Sequence, residues 1–500
     1  MSNDPIMTKD FSNISMLSLR EKIGLLLMVG ISGHHPDKIV QQRMEQQYIS
    51  AYLLFQKNTP SLSVTKSLTD ELKQMAEHYL LSPLLIAIDQ EQGRVIRIKN
   101  GITRLPAAYA LGRLNNPQYV HDACFISGCE LRSLGININF APVADINSNP
   151  DNPIIGTRSF GENPVLVSEM VRHAIRGYHD TGIICSAKHF PGHGDVSIDS
   201  HLDLPVSEKN IDQLYQTELL PFEVAISESV PMIMTAHISY PKIDSQWPAT
   251  LSPTILTQLL RKKMKYQGVI ISDDLEMKAL NQCGPHEDLA VQMIIAGCDM
   301  LIISENLTHE VSVDNIYQAL FQAVQNQIIS EDRLNESVQR ILRLRQRVVK
   351  QEGCLPGIRE PQNVCISHQM MREVFFNNPH GQHFPISVDP DNLLILSDKE
   401  DLLNICPHLQ THRLLLTKNQ SLEQLQAQVR NKDEVFIFLS QFSFVSILQE
   451  IDWPSNQKIR FFSLNNPYIQ STIHLPCASY INLYAECLPL EIFDELLIIT

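Results

Sequence analysis

Through the first two thirds of the chain, short apolar runs alternate with longer stretches in which apolar residues recur at helical spacing. Fully apolar runs separated by helical patterns are typical of parallel strands joined by helices. Eight such runs favour a (β/α)8 TIM-type barrel over the alternative, an open doubly wound sheet. The predicted strands are Leu25–Val29, Ala51–Phe55, Leu84–Ile88, Ile136–Val143, Ile183–Ala187, Met232–Ala236, Val269–Ser272 and Met300–Ser304.

Polar residues follow the apolar runs at the point where several of the predicted strands end. They are Asp89, Asp145, Lys188-His189, His237 and Asp273-Asp274. Barrel enzymes assemble their sites from residues at the carboxyl ends of different strands. A single aspartate there could simply cap the next helix, but five polar positions in register indicate a site at this end of the barrel.

The pattern changes after a predicted helix, Ser330–Val349, whose arginines between Arg340 and Arg347 are interpreted as its solvated face. Residues 1–350 are assigned to the barrel and 351–391 to a linker with one short helix near Ser367–Phe376. Residues 392–500 are assigned to a smaller α/β domain. Its predicted strands are Leu393–Leu396, Arg413–Leu416, Val435–Leu439 and Ile459–Leu464.

Charge and composition exclude some classes of function. A formal net charge of −15 makes the chain a poor candidate for nucleic-acid binding, which depends on neutralising phosphates. Neither a signal peptide nor an apolar stretch long enough for a membrane helix is recognisable. The 10 cysteines are scattered without a CxxC pair, which favours reduced thiols and a cytoplasmic location.

One stretch, Lys188 to His201 (KHFPGHGDVSIDSH), concentrates polar chemistry between glycines and a proline. Since so many polar groups would lack partners in a buried strand, it is predicted to be a loop leaving a strand. Three interpretations stay open on these residues alone: an acid/base pair of Asp199 and His201, a histidine-rich loop satisfied by local hydrogen bonds, and a metal site. The metal site would use His189, His193, Asp195, Asp199 and His201.

Two further stretches supply carboxylates after strands. Asp273 is well placed as a nucleophile or electrostatic stabiliser, and a carboxylate nucleophile with a separate proton shuttle is the arrangement of a retaining glycosidase. Asp274 is interpreted as a helix-capping residue. In the other stretch, Asp89 could accept from sugar hydroxyls and Arg97 could donate to them. Glu91 and Arg94 are interpreted as members of surface salt bridges.

These segments resemble glycoside hydrolase family 3 enzymes of the β-N-acetylglucosaminidase (NagZ) type. KHFPGHGDVSIDSH is similar to the signature loop of that family, and GVIISDDLEM (268–277) to its nucleophile strand. AIDQEQGRVIRI (87–98), with TRLPAAYALG after it, resembles its sugar-binding segment. PIIGTRSFGENP (153–164) resembles the loop that carries an arginine typical of the family. IMTAHISY (233–240) and GCDMLIIS (297–304) are similar to its sixth and eighth barrel segments.

The resemblance implies a role for each matching residue. Asp273 would be the nucleophile that forms a covalent glycosyl-enzyme, and His201 the general acid/base, held by Asp199. The N-acetylglucosamine would be bound by Asp89, Arg97, Arg158, Lys188 and His189. In the family the histidine lies on a flexible loop, and Gly192 and Gly194 are expected to supply the flexibility. No metal or other cofactor is implied.

The implied activity is removal of terminal N-acetylglucosamine, with muropeptides from cell-wall turnover as the expected substrates. Alternatives are a phosphorylase of the same family and a catalytically silent carbohydrate-binding relative. The sequence departs from the family at Gln92, where QEQG replaces QEGG, and this residue is expected to narrow the space near the site. Residues 392–500 resemble the family's α/β sandwich domain only faintly and are short for it.

Overall fold

The eight predicted strands form a closed barrel of parallel strands in chain order, with the first strand hydrogen-bonded to the eighth. The computed structural model describes residues 14–79, 81, 83–197, 203–305, 311–349 and 355–376. In the C-terminal part it describes residues 386–388, 393–397, 412–415, 422–430, 432, 434–439, 448, 451, 453, 458–463, 478–482 and 497–499. The barrel strands are β1 Leu27–Gly30, β2 Ala51–Leu54, β3 Leu85–Ile88, β4 Ile138–Asn139, β5 Ile184–Phe190, β6 Met232–Thr235, β7 Val269–Asp274 and β8 Met300–Ile303.

The prediction of a TIM-type barrel is therefore confirmed. Helices cover the outside of the strands, so the strands are buried on both faces, as their continuous apolar runs indicated. The helices of this part are α1 Leu19–Leu25, α2 Lys38–Gln47, α3 Leu62–His78, α4 Ala108–Leu114, α5 Pro117–Ser133, α6 Pro164–Thr181, α7 Ile211–Gln216, α8 Leu220–Ser227, a π-helix Thr254–Lys263, α9 His286–Ala296, α10 Val313–Gln325 and α11 Glu331–Val349. Short 3₁₀ turns lie at Ile14–Met16, Gln56–Asn58, Gly156–Arg158, Ala249–Leu251 and Lys278–Leu280.

The prediction that the stretch from Lys188 onwards is a loop is wrong for its first three residues. Strand β5 continues through Lys188, His189 and Phe190, and all three are buried. The argument from unsatisfied polar groups fails because carboxylates on neighbouring strands and loops accept from both side chains. The strand therefore delivers Lys188 and His189 directly into the mouth of the barrel.

The last helix of the continuous region, α12 Pro361–Phe376, is longer than the predicted segment Ser367–Phe376. It packs against α4 and α5 of the barrel. Ser367 Oγ donates to the carbonyl of Arg104, and Gln369 Nε2 lies 2.8 Å from Tyr119 Oη. This helix, within the predicted linker, is thus attached to the outside of the barrel.

The C-terminal part contains a second parallel sheet. Five strands, β10 Leu393–Ser397, β11 His412–Leu415, β12 Glu434–Leu439, β13 Lys458–Ser463 and β14 Ala478–Asn482, lie in the order β11-β10-β12-β13-β14, with α13 at Leu422–Val429. Strands β9 Ile386–Val388 and β15 Leu497–Ile499 form a separate parallel pair. The sequence indicated the first four strands of the larger sheet and missed β14. The boundaries assigned at 350/351 and 391/392 stay a prediction.

Among the described helices, none has the length and apolar character required to cross a membrane.

Candidate active site

The carboxyl ends of the strands surround a cavity of about 290 Å³. Six of the eight residues predicted to form the site lie in its wall. They are Asp89, Arg97, Arg158, Lys188, His189 and Asp273. The other two, Asp199 and His201, lie outside the described residues. The cavity wall also contains apolar side chains, among them Phe55, Val95 and Phe140, so a ligand would meet both charged and apolar surface.

Glu91 lies at the centre of the charged network in the wall. Its side chain is only 4% exposed, and it accepts from Arg158 Nε at 2.8 Å and Arg158 Nη2 at 2.9 Å. Lys188 Nζ lies 2.5 Å from the same carboxylate. Burial alone would raise the pKa of Glu91, but Arg158 and Lys188 outweigh that effect and hold it well below its usual range. The interpretation of Glu91 as a surface salt-bridge residue is wrong.

Asp89 continues this network towards the open side of the cavity. Its carboxylate lies 2.8 Å from Lys188 Nζ and 3.3 Å from Arg97 Nη2. The Arg97 guanidinium lies over the ring of Phe55, 5.5 Å from the ring centre. Asp89 and Arg97 keep side-chain exposures of 15% and 30%. They are therefore open to a polar ligand in the cavity.

Asp145 fixes the two histidines that follow β5. Its Oδ2 lies 2.7 Å from His189 Nδ1, while its Oδ1 accepts from the backbone N–H groups of His189 at 3.0 Å and His193 at 2.7 Å. Arg158 Nη2 can only donate, and it lies 3.4 Å from His189 Nε2. Nε2 is therefore an acceptor and Nδ1 the donor to Asp145. The sequence had placed Asp145 among the polar residues at the strand ends without assigning it a role.

The two glycines of the following loop serve close packing. A Cβ atom on Gly194 would lie 1.7 Å from the carbonyl oxygen of Ile146, and one on Gly192 would lie 2.7 Å from the Glu218 side chain. Gly192 also has φ +136°, and its carbonyl accepts from Tyr240 Oη at 2.7 Å. At Gly192 and Gly194 the chain packs closely against the barrel, which explains the need for glycine at both positions; the expectation that they supply flexibility to the loop stays a prediction.

The adjacent carboxylates at the end of β7 have different surroundings. Asp273 Oδ1 accepts from the backbone N–H of Asp274 at 2.8 Å. Asp274 Oδ1 accepts from the backbone N–H groups of Glu276 and Ser304, each at 3.2 Å. Burial raises the pKa of Asp274 to about 7.

Over the described residues, no group of three or more histidines, cysteines, aspartates or glutamates has an arrangement that could hold a metal ion. Of the five residues in the metal-site hypothesis, His189 and the backbone of His193 are committed to Asp145. Asp195 accepts from Ser207 Oγ at 3.1 Å and lies 3.3 Å from Lys209 Nζ. The described part of the loop uses these polar groups to hold the chain in place.

Comparison with known proteins identifies the family. The profile of the glycosyl hydrolase family 3 N terminal domain matches residues 18–344, which span all eight barrel strands.

The chain belongs to glycosyl hydrolase family 3.

This family 3 chain is similar to several named proteins and to solved structures. It is 36% identical over 327 residues to β-hexosaminidase A of Pseudoalteromonas piscicida, which covers 61% of this chain and 55% of that protein. It is 34% identical over 291 residues to a β-hexosaminidase of Idiomarina loihiensis, covering 57% of this chain and 86% of that protein. The chain thus spans about half the length of the first relative and most of the second.

A solved family 3 β-N-acetylglucosaminidase from Paenibacillus sp. extends the similarity beyond the barrel. Its structure matches with a TM-score of 0.85 and 28% identity, and the match covers 95% of both chains. The family resemblance and the prediction of a glycoside hydrolase are confirmed.

Sequence reasoning missed Glu91 as a member of the family 3 site, and it placed Asp145 at the site end of the barrel without giving it a role. The available signal was that each lies just after a barrel strand, but nothing local showed which cations they would meet. The expectation that Gln92 narrows the space near the site is not met in the wall of this cavity, which does not include the residue. Its backbone has φ +74°, and its Nε2 lies 3.3 Å from Ser127 Oγ on α5.

The stability of the fold is expected to depend on pH through His193. Burial and the nearby His189 lower the pKa of His193 to about 4. Between pH 6.5 and 4 the unfolded chain binds a proton at this residue that the native chain excludes. The contribution of neutral His193 to the free energy of unfolding is therefore fully present above about pH 6.5. It is lost as pH falls towards 4, which lowers the free energy of unfolding by up to about 3 kcal/mol.

Chemical denaturation of the wild type and His193→Asn across this range would measure the effect. We expect the variant to lose that part of the pH dependence, while His34→Asn, which alters an exposed histidine, retains it. Identical pH profiles for the wild type and His193→Asn would contradict the assignment.

Proposed function

We propose that this protein is a retaining exo-β-N-acetylglucosaminidase. The supporting observation is the convergence of Asp89, Arg97, Arg158, Lys188, His189 and Asp273 in one cavity at the carboxyl end of the barrel. These residues come from four separate segments of the chain. Asp199, His201 and Asp273 all stand in the sequence, and binding alone does not require all three. The names of the family 3 relatives agree with the proposed specificity.

In the proposed reaction, a carboxylate oxygen of Asp273 attacks the anomeric carbon and forms an ester to the sugar. His201, held by Asp199, gives its proton to the leaving glycosidic oxygen as that bond breaks. The neutral imidazole then takes a proton from water, and the oxygen of that water displaces Asp273 from the sugar. The roles of Asp199 and His201 rest on the sequence motif alone.

The cations of the cavity wall would orient the sugar for this attack. Lys188 is held by Asp89 and Glu91, and Arg158 is held by Glu91. Because both ends of these contacts are fixed before substrate arrives, little reorganisation is needed on binding. The cavity of about 290 Å³ is at the small end for ligand sites, which favours one terminal sugar residue over an internal segment of a polymer. Muropeptides handled in the cytoplasm during cell-wall turnover are the proposed natural substrates.

The direct test is release of p-nitrophenol from its β-N-acetylglucosaminide, with the β-glucoside as the comparison. We expect turnover of the first and little of the second, with no increase when phosphate is added. Faster turnover in phosphate would instead support a phosphorylase. Absence of turnover by the folded protein on both this substrate and a muropeptide would contradict the proposal and favour a carbohydrate-binding role.

The proposed acid role of His201 predicts a dependence on the leaving group. His201→Ala should lower kcat/KM by about 10²-fold or more for a poor alkyl leaving group and much less for an activated aryl leaving group, because the latter departs without protonation. Steady-state kinetics over a series of aglycones would show this as a steeper dependence on leaving-group pKa. Equal losses over the series would argue against the acid role.

Arg97 and Arg94 offer a matched pair of substitutions within one segment. Arg97 lines the cavity beside Asp89, whereas the exposed Arg94 donates to the carbonyl of Pro153 at 2.9 Å. Arg97→Ala should raise KM or lower kcat/KM by about tenfold to a hundredfold, since it removes a charged hydrogen-bond donor from the sugar. Arg94→Ala should stay within about twofold of the wild type. Similar kinetics for both variants would remove Arg97 from the proposed subsite.

A further inference from the structure

A second cavity lies at the opposite, amino end of the barrel. It has a volume of about 350 Å³, slightly more than the cavity at the carboxyl end. Its wall is formed by the segments leading into β6 and β7 and by one face of α11. Tyr266 and Val269 supply a buried floor. This volume falls within the range of small-molecule sites.

The charged residues in the wall of this cavity are basic. They are Lys265, Arg340, Arg343 and Arg347. The three arginines are spaced by three and four positions, so they lie on one face of α11 over two turns. Such a concentration contrasts with the net charge of −15 for the whole chain. It is therefore a local feature of this cavity.

The nearby carboxylates are already engaged by other cations. Asp299 is fully buried and is shared by Arg261, Arg333 and Arg340. Glu228, next in sequence to a residue of the cavity wall, is held by Arg172 and Arg176. The exposed Glu336 lies 3.5 Å from Arg340.

Within the described residues, Lys265, Arg343 and Arg347 have no carboxylate within 4.0 Å. All three are exposed at the cavity. The positive charge of Arg347 also acts on His179: burial and this arginine together lower the pKa of His179. The cavity thus combines an excess of positive charge with a partly apolar floor.

We propose that this cavity binds a phosphate group, either as the free ion or carried by a small organic ester. Guanidinium groups match tetrahedral oxyanions through paired hydrogen bonds. Several guanidinium groups on one face favour a ligand with two negative charges, such as phosphate, over a ligand with one carboxylate. Since the cavity exceeds the size of one phosphate, an organic body could lie against Tyr266 and Val269. The site would be separate from the sugar cavity and does not depend on the proposed hydrolysis.

Calorimetric titration at low ionic strength would test this site with inorganic phosphate, glucose 6-phosphate and, as the neutral control, glucose. The variant is Arg343→Ala/Arg347→Ala, in which both substituted residues are exposed. Its matched control is Arg113→Ala, because Arg113, like Arg347, is an exposed arginine in the last turn of a helix, and it lies outside this cavity. Arg97→Ala tests whether phosphate binds in the sugar cavity instead.

We expect saturable binding of phosphate or its ester at one site, weakened about tenfold or more in the double variant because two charged donors are lost. Arg113→Ala and Arg97→Ala should bind like the wild type, and glucose should not compete. Tighter binding of glucose 6-phosphate would assign the site to phosphomonoesters, and tighter binding of inorganic phosphate would assign it to the free ion. No saturable binding of either, unchanged binding in the double variant, or loss of binding only in Arg97→Ala would each overturn the proposal.

Discussion

Replacement of Asp273 by alanine is expected to lower kcat for the β-N-acetylglucosaminide by about 10⁴-fold or more, the scale seen when a catalytic nucleophile is removed. The carboxylate lies at the end of β7 in the cavity wall, and one of its oxygens already accepts from the backbone N–H of Asp274. That contact restricts rotation of the carboxylate. The side chain is partly exposed, so its truncation should cost little stability.

Two controls separate a nucleophile from a general electrostatic effect. Added azide should restore turnover to Asp273→Ala and yield a glycosyl azide of the opposite anomeric configuration, because the small anion attacks where the carboxylate stood. Asp274→Asn retains an oxygen that can accept from Glu276 and Ser304, and it should lose far less activity than Asp273→Ala. A larger loss in Asp274→Asn would move the nucleophile assignment to that residue.

The second large effect is expected for Glu91→Gln. This change leaves Arg158 and Lys188 buried beside a neutral amide, and breaking a buried ion pair by removing one partner costs about 3–5 kcal/mol. Since the same two cations are proposed to orient the sugar, kcat/KM should also fall, by about 10²-fold for a misplacement on the scale of 1 Å. Urea unfolding and steady-state kinetics below the unfolding transition would measure the two effects separately.

Glu305 offers a matched control for this substitution. It too forms a bidentate contact, with Arg43 at 2.7 and 2.6 Å, but it does not line the sugar cavity. Glu305→Gln should lower the stability less, because its side chain is 26% exposed, and it should leave the kinetics unchanged. If both variants lost activity to the same extent, the loss would reflect general destabilisation and Glu91 would have no specific role.

The sequence alone was sufficient for the barrel and for much of the candidate site. Parallel strands covered on both faces must be apolar throughout, so their positions were visible as runs such as Ala51–Phe55 and Met300–Ser304. The carboxyl ends of such strands meet at one end of a barrel, so Asp89, Lys188 and Asp273 could be expected together. Strand β14, whose sequence ASYIN is mixed in polarity, gave no such signal.

Interactions between residues distant in the chain could not be inferred in this way. Lys188 and His189 stay within a buried strand because their side chains contact the carboxylates of Asp89, Glu91 and Asp145, which lie 44 to 99 positions earlier. Gly194 is needed because Ile146 approaches it closely. In each case the deciding partner lies on another strand or loop, so a rule based on local sequence could not identify it.

The amino-acid sequence by itself determined the barrel, its strand positions and the family to which the chain belongs, because burial and motif spacing are local properties. Only the tertiary structure decided which charged side chains form ion pairs, which glycines are required for packing and which residue Gln92 contacts. It also brought Lys265 and three arginines of α11 together in the wall of one cavity. Electrostatic energies and steric contacts depend on distances through space, and folding sets these distances.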